Sequence, residues 1–117
     1  MKKIYYLSTC DTCKRIINEL ELISKKFIFQ DIKTKTISEA QLEELKTKAG
    51  SYEALFSKIA RKYRSLNLSS STLDELKLKN LILEEYTFLK RPVILVNDKI
   101  FIGNSKQVID AVKKELK

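Results

Sequence analysis

Along the 117-residue chain the spacing of apolar residues switches between alternation and helical periodicity, and the switches delimit the elements. Lys3 to Ser8 (KIYYLS) is a short apolar run that reads as a strand. Ile16, Ile17, Leu20 and Ile23 then recur at i, i+4 and i+7 spacing, which predicts a helix beginning at about Asp11 or Thr12 and burying that stripe. Lys26 to Ile32 alternates Phe27 and Phe29 with polar neighbours and reads as a second strand, and the short crossover makes a parallel β-α-β unit. Ser38-Glu39-Ala40-Gln41 has the spacing of a capping box ahead of Leu42 and Leu45, and Gly50 is placed to end that helix. Leu55, Phe56, Ile59 and Tyr63 share a face of a helix expected from about Tyr52. After a polar turn between Asn67 and Ser71, Thr72-Leu73-Asp74-Glu75 is a second capping-box pattern, opening a helix with Leu73, Leu76, Leu81 and Ile82. Strands resume at Pro92 to Val96, turn at Asn97-Asp98 and continue through Ile100 to Ile102 and Gly103 as a hairpin. A last helix starts near Ser105 and buries Val108, Ile109, Val112 and Leu116.

The order is therefore β-α-β, a block of about three helices, then β-β-α, an α/β arrangement. A hydrophobic content of 44% over this length suits one core, so a single domain over 1–117 is expected, with a helical insertion at about 38–88. The apolar stretch at the N-terminus is too short for a signal peptide and no run approaches the length of a membrane span, which predicts a cytoplasmic protein. The net charge of +8 raises the question of nucleic acid. Yet 19 of the 23 basic residues are lysine and they alternate with 15 acids along the predicted helices, a pattern that serves solubility and argues against direct nucleic-acid binding. A basic surface still attracts an acidic partner or an oxyanion.

The chemistry concentrates in Cys10-Asp11-Thr12-Cys13, which holds both cysteines of the chain at a strand-to-helix junction. Cys10 would sit at the helix N-terminus, where unpaired N–H groups and the positive end of the helix dipole favour a thiolate. Lys14 and Arg15 in the first turn add positive charge, and Asp11 works against it. Cys10 is thus expected to be the nucleophile with a lowered pKa, and Cys13, one turn inside the helix, the resolving thiol. A structural zinc site needs four N or S ligands. With two cysteines and no histidine, one chain cannot supply them, so no metal is expected. A purely stabilising disulfide is poor value, because so short a loop restrains the unfolded chain very little. A chance pair of small semi-buried residues is the plain alternative.

With the C-x-x-C after strand one and the sole proline, Pro92, opening strand three, the chain resembles thioredoxin-fold proteins. The long helical block narrows this. IYYLSTCDTCKRII at the N-terminus, Tyr63-Arg64-Ser65-Leu66-Asn67-Leu68, Leu89-Lys90-Arg91-Pro92-Val93-Ile94 and Gly103 with the following helix are similar to the arsenate reductase (ArsC/Spx/YffB-like) family over essentially the whole chain. The resemblance implies a thioredoxin-like fold with a mixed four-stranded sheet and a cis-proline at Pro92 opposite the thiols. It adds Arg91 to Cys10 and Cys13 as the expected catalytic residues, Cys13 departing from the family's single-cysteine arsenate reductases, with Arg91, Pro92, Lys14 and Arg64 expected to contact substrate. Family arsenate reductases surround the nucleophile with three arginines. Here only Arg91 matches, the other two positions falling near Ser57 and at Gly103, with Arg61 or Arg64 as substitutes for the first.

The expected activity is that of a thiol-disulfide oxidoreductase related to arsenate reductases. No cofactor is bound, and glutathione, glutaredoxin or thioredoxin serves as external reductant. Without histidine, proton transfer falls to Asp11, solvent or the substrate. The alternative from another class is an Spx-like redox-sensing regulator that binds RNA polymerase without turnover. Cys13 favours that alternative, and the end of the chain at Lys117 weighs against it.

Overall fold

β1 (Lys2–Tyr6) has partners on both sides, running parallel to β2 (Ile28–Asp31) and antiparallel to β3 (Val93–Val96). β3 in turn pairs antiparallel with β4 (Lys99–Ile102), so the sheet is mixed in the order β2-β1-β3-β4, with β1 and β3 at its centre. The computed structural model describes residues 1–57 and 74–117. Among these the helices are α1 (Asp11–Glu19), α2 (Glu39–Ala49), α3 (Glu75–Glu84) and α4 (Lys106–Glu115). The chain folds as two compact units, Met1–Lys35 with Arg91–Lys117, and Thr36–Lys90.

In the first unit, Ile16 and Ile17 of α1 and Ile109 and Val112 of α4 meet Ile4, Ile94 and Val96 of the sheet, with Leu20, Leu22 and Phe27 completing the core. Each such side chain contributes about 1.5–3 kcal/mol when fully buried, so this cluster rather than helix propensity holds α1 in place. The sequence carries the α1 stripe one turn too far. Leu20 is the C-cap, Glu21 takes a left-handed φ of 54°, and the turned chain sends Leu22 inward while Ile23 is left 73% exposed. The second strand is also shorter than Lys26 to Ile32, because Lys26 has a φ of 61° and the ladder begins only at Ile28.

In the second unit, α2 carries the expected capping box. Gln41 N–H donates to Ser38 Oγ at 3.1 Å, Ser38 N–H donates to Gln41 Oε1 at 3.1 Å, and Gly50 ends the helix at φ 98°. Lys79 of α3 bonds Glu39 and Glu43 of α2 at 2.7 and 3.0 Å. Where a helix is expected from about Tyr52, the described residues form a 3₁₀ turn at Glu53–Leu55, and the rest of that stretch lies outside them. Phe56 then goes extended to bridge Leu89 and stack on Phe88 at 5.0 Å between ring centroids. The second capping pattern also resolves differently. Asp74 is the N-cap, accepting from Lys77 N–H at 2.8 Å, which turns Leu78 and Ile82 inward and leaves Leu76 65% exposed. Ile59, Tyr63, Thr72 and Leu73, the polar turn at 67–71, and Lys58, Arg61 and Arg64 lie outside the described residues.

Candidate functional site

The register of the sheet brings the candidate residues together. Tyr5 stands opposite Val93 and Tyr6 beside Asp31, so the chain leaving β1 at Leu7 passes between the start of β3, with Arg91 and Pro92, and the end of β2. It then turns sharply, Cys10 N–H donating to the Leu7 carbonyl at 3.0 Å. Cys10 is the N-cap of α1 in extended conformation (φ −97°, ψ 112°), and its carbonyl accepts from Lys14 N–H at 3.2 Å. The sulfur is thereby presented to the first N–H groups of the helix, which have no intrahelical acceptor.

The two thiols have opposite environments. Partial burial acts to raise Cys10, but the Cys13 N–H, the Cys13 thiol, the Thr12 N–H and the charge of Arg91 together outweigh it, so Cys10 lies below the ordinary thiol value. Cys13 is fully buried, and burial pushes it up to about 11. The hydrogen bond and negative charge of Cys10 push the same way, against a backbone hydrogen bond from Leu7 and the charge of Arg91. The pair thus favours one arrangement, a Cys10 thiolate accepting from a Cys13 S–H. Both cysteines are free thiols.

Arg91 is half-buried, and its charge acts on both sulfurs. The Arg91–Pro92 peptide is cis, as the resemblance implies, and the buried Pro92 accepts from Gly103 N–H at 2.9 Å. Lys14 stays exposed on the first turn of α1. Arg15, expected to add charge near Cys10, instead reaches along the helix to Glu19 at 3.6 Å, and Glu19 also binds Lys113 at 2.9 Å. Its reach is set by i, i+4 geometry, so among the described residues the arginine whose charge acts on Cys10 is Arg91, 81 residues further along the sequence. Gly103 has a φ of 97°, a backbone state that disfavours an arginine there. Ser57, in the second unit, is buried and donates its N–H to the Phe88 carbonyl at 2.6 Å.

Asp31 and Ser8 are contacts the sequence reading missed. Asp31 Oδ1 accepts from Ser8 N–H at 3.2 Å and Lys33 N–H at 3.1 Å. Burial acts to raise its carboxyl, but the Ser8 hydroxyl, the two N–H groups and the Lys33 charge hold it below the usual carboxylate value. The available signal was topological: an acid ending the second strand of a β-α-β unit lies beside the loop that follows the first.

A model of the ArsC family matches residues 5–112. Among solved structures the chain is similar to a YFFB protein, with a TM-score of 0.82, 23% identity and coverage of 100% of both chains. It is also similar to an arsenate reductase from Vibrio cholerae, at TM-score 0.79 and 21% identity over 93% of this chain and 95% of that one. An arsenate reductase (ArsC) related protein from Brucella melitensis aligns at TM-score 0.72 and 24% identity over 94% and 92%. No curated protein matches the chain. At these identities the structural likeness establishes the thioredoxin-like fold. The family match, spanning nearly the whole chain, goes further: this protein belongs to the ArsC family.

Proposed function

We propose that the protein is a thiol-disulfide oxidoreductase in which Cys10 is the nucleophile and Cys13 the resolving thiol. The observation that carries this reading is the opposed pair of thiols: Cys10 depressed at a helix N-terminus and Cys13 buried and raised to about 11 beside it. The Cys10 thiolate attacks one sulfur of a substrate disulfide, forming a mixed disulfide and expelling the other sulfur as a thiolate, which takes a proton from solvent. Cys13 is a poor nucleophile while Cys10 is charged. Once Cys10 is engaged, that negative charge is gone and Cys13 ionises more readily. Its sulfur then attacks Cys10 Sγ, expelling the second substrate thiolate and leaving a Cys10–Cys13 disulfide that an external dithiol or two glutathione molecules reduce.

Arg91 stabilises negative charge at the sulfur, and Pro92 forms the wall opposite it. Lys14 and Arg64 are the further candidates for substrate contact. The cycle needs a thiol-reducing compartment such as the cytoplasm, supplied by glutathione, glutaredoxin or thioredoxin. The test is a reductase assay with a glutathione mixed disulfide, comparing wild type, Cys10→Ser and Cys13→Ser. Turnover in wild type, none in Cys10→Ser, and an accumulated mixed disulfide in Cys13→Ser are expected. Equal turnover in Cys10→Ser, or none in wild type, overturns the proposal.

A further inference from the structure

Asp31 reaches across from β2 to the loop that carries the nucleophile. Its own backbone is held firmly: the carbonyl accepts from Thr34 N–H at 3.2 Å, Thr34 Oγ1 at 3.3 Å and Lys35 N–H at 2.9 Å. The neighbouring Gln30, buried in β2, donates from Nε2 to the Lys35 carbonyl at 3.1 Å, and Ile32 N–H donates to the Tyr6 carbonyl at 2.9 Å. From this clasp the carboxylate grips Ser8, the second residue of the turn from Leu7 to Cys10, through its N–H at 3.2 Å. The Ser8 hydroxyl adds a second bond. The next residue back, Leu7, meets Cys13 through its backbone and accepts from Cys10 N–H at 3.0 Å. A displacement of Ser8 is therefore passed to both sulfurs through one turn.

We propose that Asp31 is a positioning residue for Cys10, its carboxylate fixing the Leu7–Cys10 turn so that the Cys10 sulfur stays over the Thr12 and Cys13 N–H groups. Asp31 acts through Ser8 and not on the substrate. The inference rests on the reading of Cys10 as the nucleophile. Hydrogen bonds to backbone N–H groups are directional, so a change in oxygen position at residue 31 moves the turn, whereas an amide oxygen in the same place still accepts from Ser8 N–H.

The experiment follows alkylation of Cys10 by iodoacetamide across the thiol titration range, with peptide mass spectrometry to separate Cys10 from Cys13. It compares wild type, Asp31→Asn, Asp31→Ala and Asp31→Glu. Asp31→Ala should raise the Cys10 midpoint by about half to one pH unit, a roughly three- to tenfold fall in thiolate at neutral pH. Asp31→Asn keeps an acceptor oxygen and should stay close to wild type. Asp31→Glu keeps the charge but displaces the oxygens by one methylene, so it should be raised as well, and it serves alone if Asp31→Ala does not fold. Ser38→Ala, in the second unit, is the control for a merely destabilised protein and should leave the Cys10 profile unchanged. A wild-type profile in folded Asp31→Ala or Asp31→Glu overturns the inference, as does an Asp31→Asn variant as impaired as Asp31→Ala. A wild-type Cys10 that alkylates like a free thiol instead overturns the assignment of the nucleophile itself.

Discussion

Cys10 and Cys13 are the same residue type three positions apart, and their difference is entirely environmental, which gives each a distinct pH signature. Raising Cys13 from 9.0 to about 11 means the folded protein holds that proton more tightly than the unfolded chain. The associated stability, about 3 kcal/mol, is fully present below the unfolded thiol value and lost as the pH rises through the folded one. The depressed Cys10 acts in the opposite sense, adding stability above the unfolded value that is lost as the pH falls through its folded one. Chemical denaturation of reduced protein should therefore show a loss between about pH 9 and 11 that is absent from Cys13→Ala, and equal pH slopes for the two would refute the assignment. Arg91 is the other residue whose role can be isolated. Arg91→Ala removes the charge that favours the Cys10 thiolate, so the Cys10 alkylation midpoint should rise while the thermal transition stays cooperative; an unmoved midpoint would make Arg91 a bystander. Both cysteines and Arg91 were legible in the sequence, the first two from spacing and the third through the family resemblance. That Arg91 rather than Arg15 supplies the charge was not, because the antiparallel register of β1 and β3 decides it.

At the scale of elements, legibility followed whether an element's signal is local. The α2 capping box, the αL glycine at Gly50, the Asn97 turn at φ 56° and the Ser105 cap of α4 are each built from residues within a few positions of one another, and each forms as its sequence predicts. Ser38→Ala removes one half of the α2 box and should cost about 1 kcal/mol, read as a shifted urea midpoint with an unchanged slope. No shift would mean that α2 is held by Leu42, Leu45 and the Lys79 ion pairs alone. The described stretch from Tyr52 to Phe56 departs from the local reading because its partners are distant. The Glu75 carboxylate accepts from Tyr52 N–H at 2.7 Å and Glu53 N–H at 3.1 Å, and Phe88 and Leu89 take Phe56 out of helical conformation. Apolar spacing alone cannot separate such a segment from a helix.

At the scale of the molecule, family membership and substrate separate. Among the described residues the fold brings Cys10, the buried Cys13 and Arg91 to the end of the sheet, and the disulfide exchange proposed for them attacks a sulfur that carries no net charge. Arsenate is a multiply charged oxyanion, and its binding depends on how many charge-assisted donors surround the nucleophile. By the family resemblance only Arg91 of three arginines is matched, the other two positions falling near Ser57 and at Gly103. Gly103 is additionally fixed by its backbone: at φ 97° an arginine would be strained, so the position is built for the turn after β4 and its bond to Pro92 rather than for an anion. Each missing charge-assisted hydrogen bond costs about 1.5–3 kcal/mol, and two of them weaken oxyanion binding by roughly two to four orders of magnitude. Lys58, Arg61 and Arg64 are the cations of the sequence that would offset part of this. Arsenate reduction assayed with glutathione and glutaredoxin should accordingly be weak or absent in a preparation that reduces a glutathione mixed disulfide, and efficient arsenate turnover by the same preparation would show that three arginines are not what this family needs for the reaction.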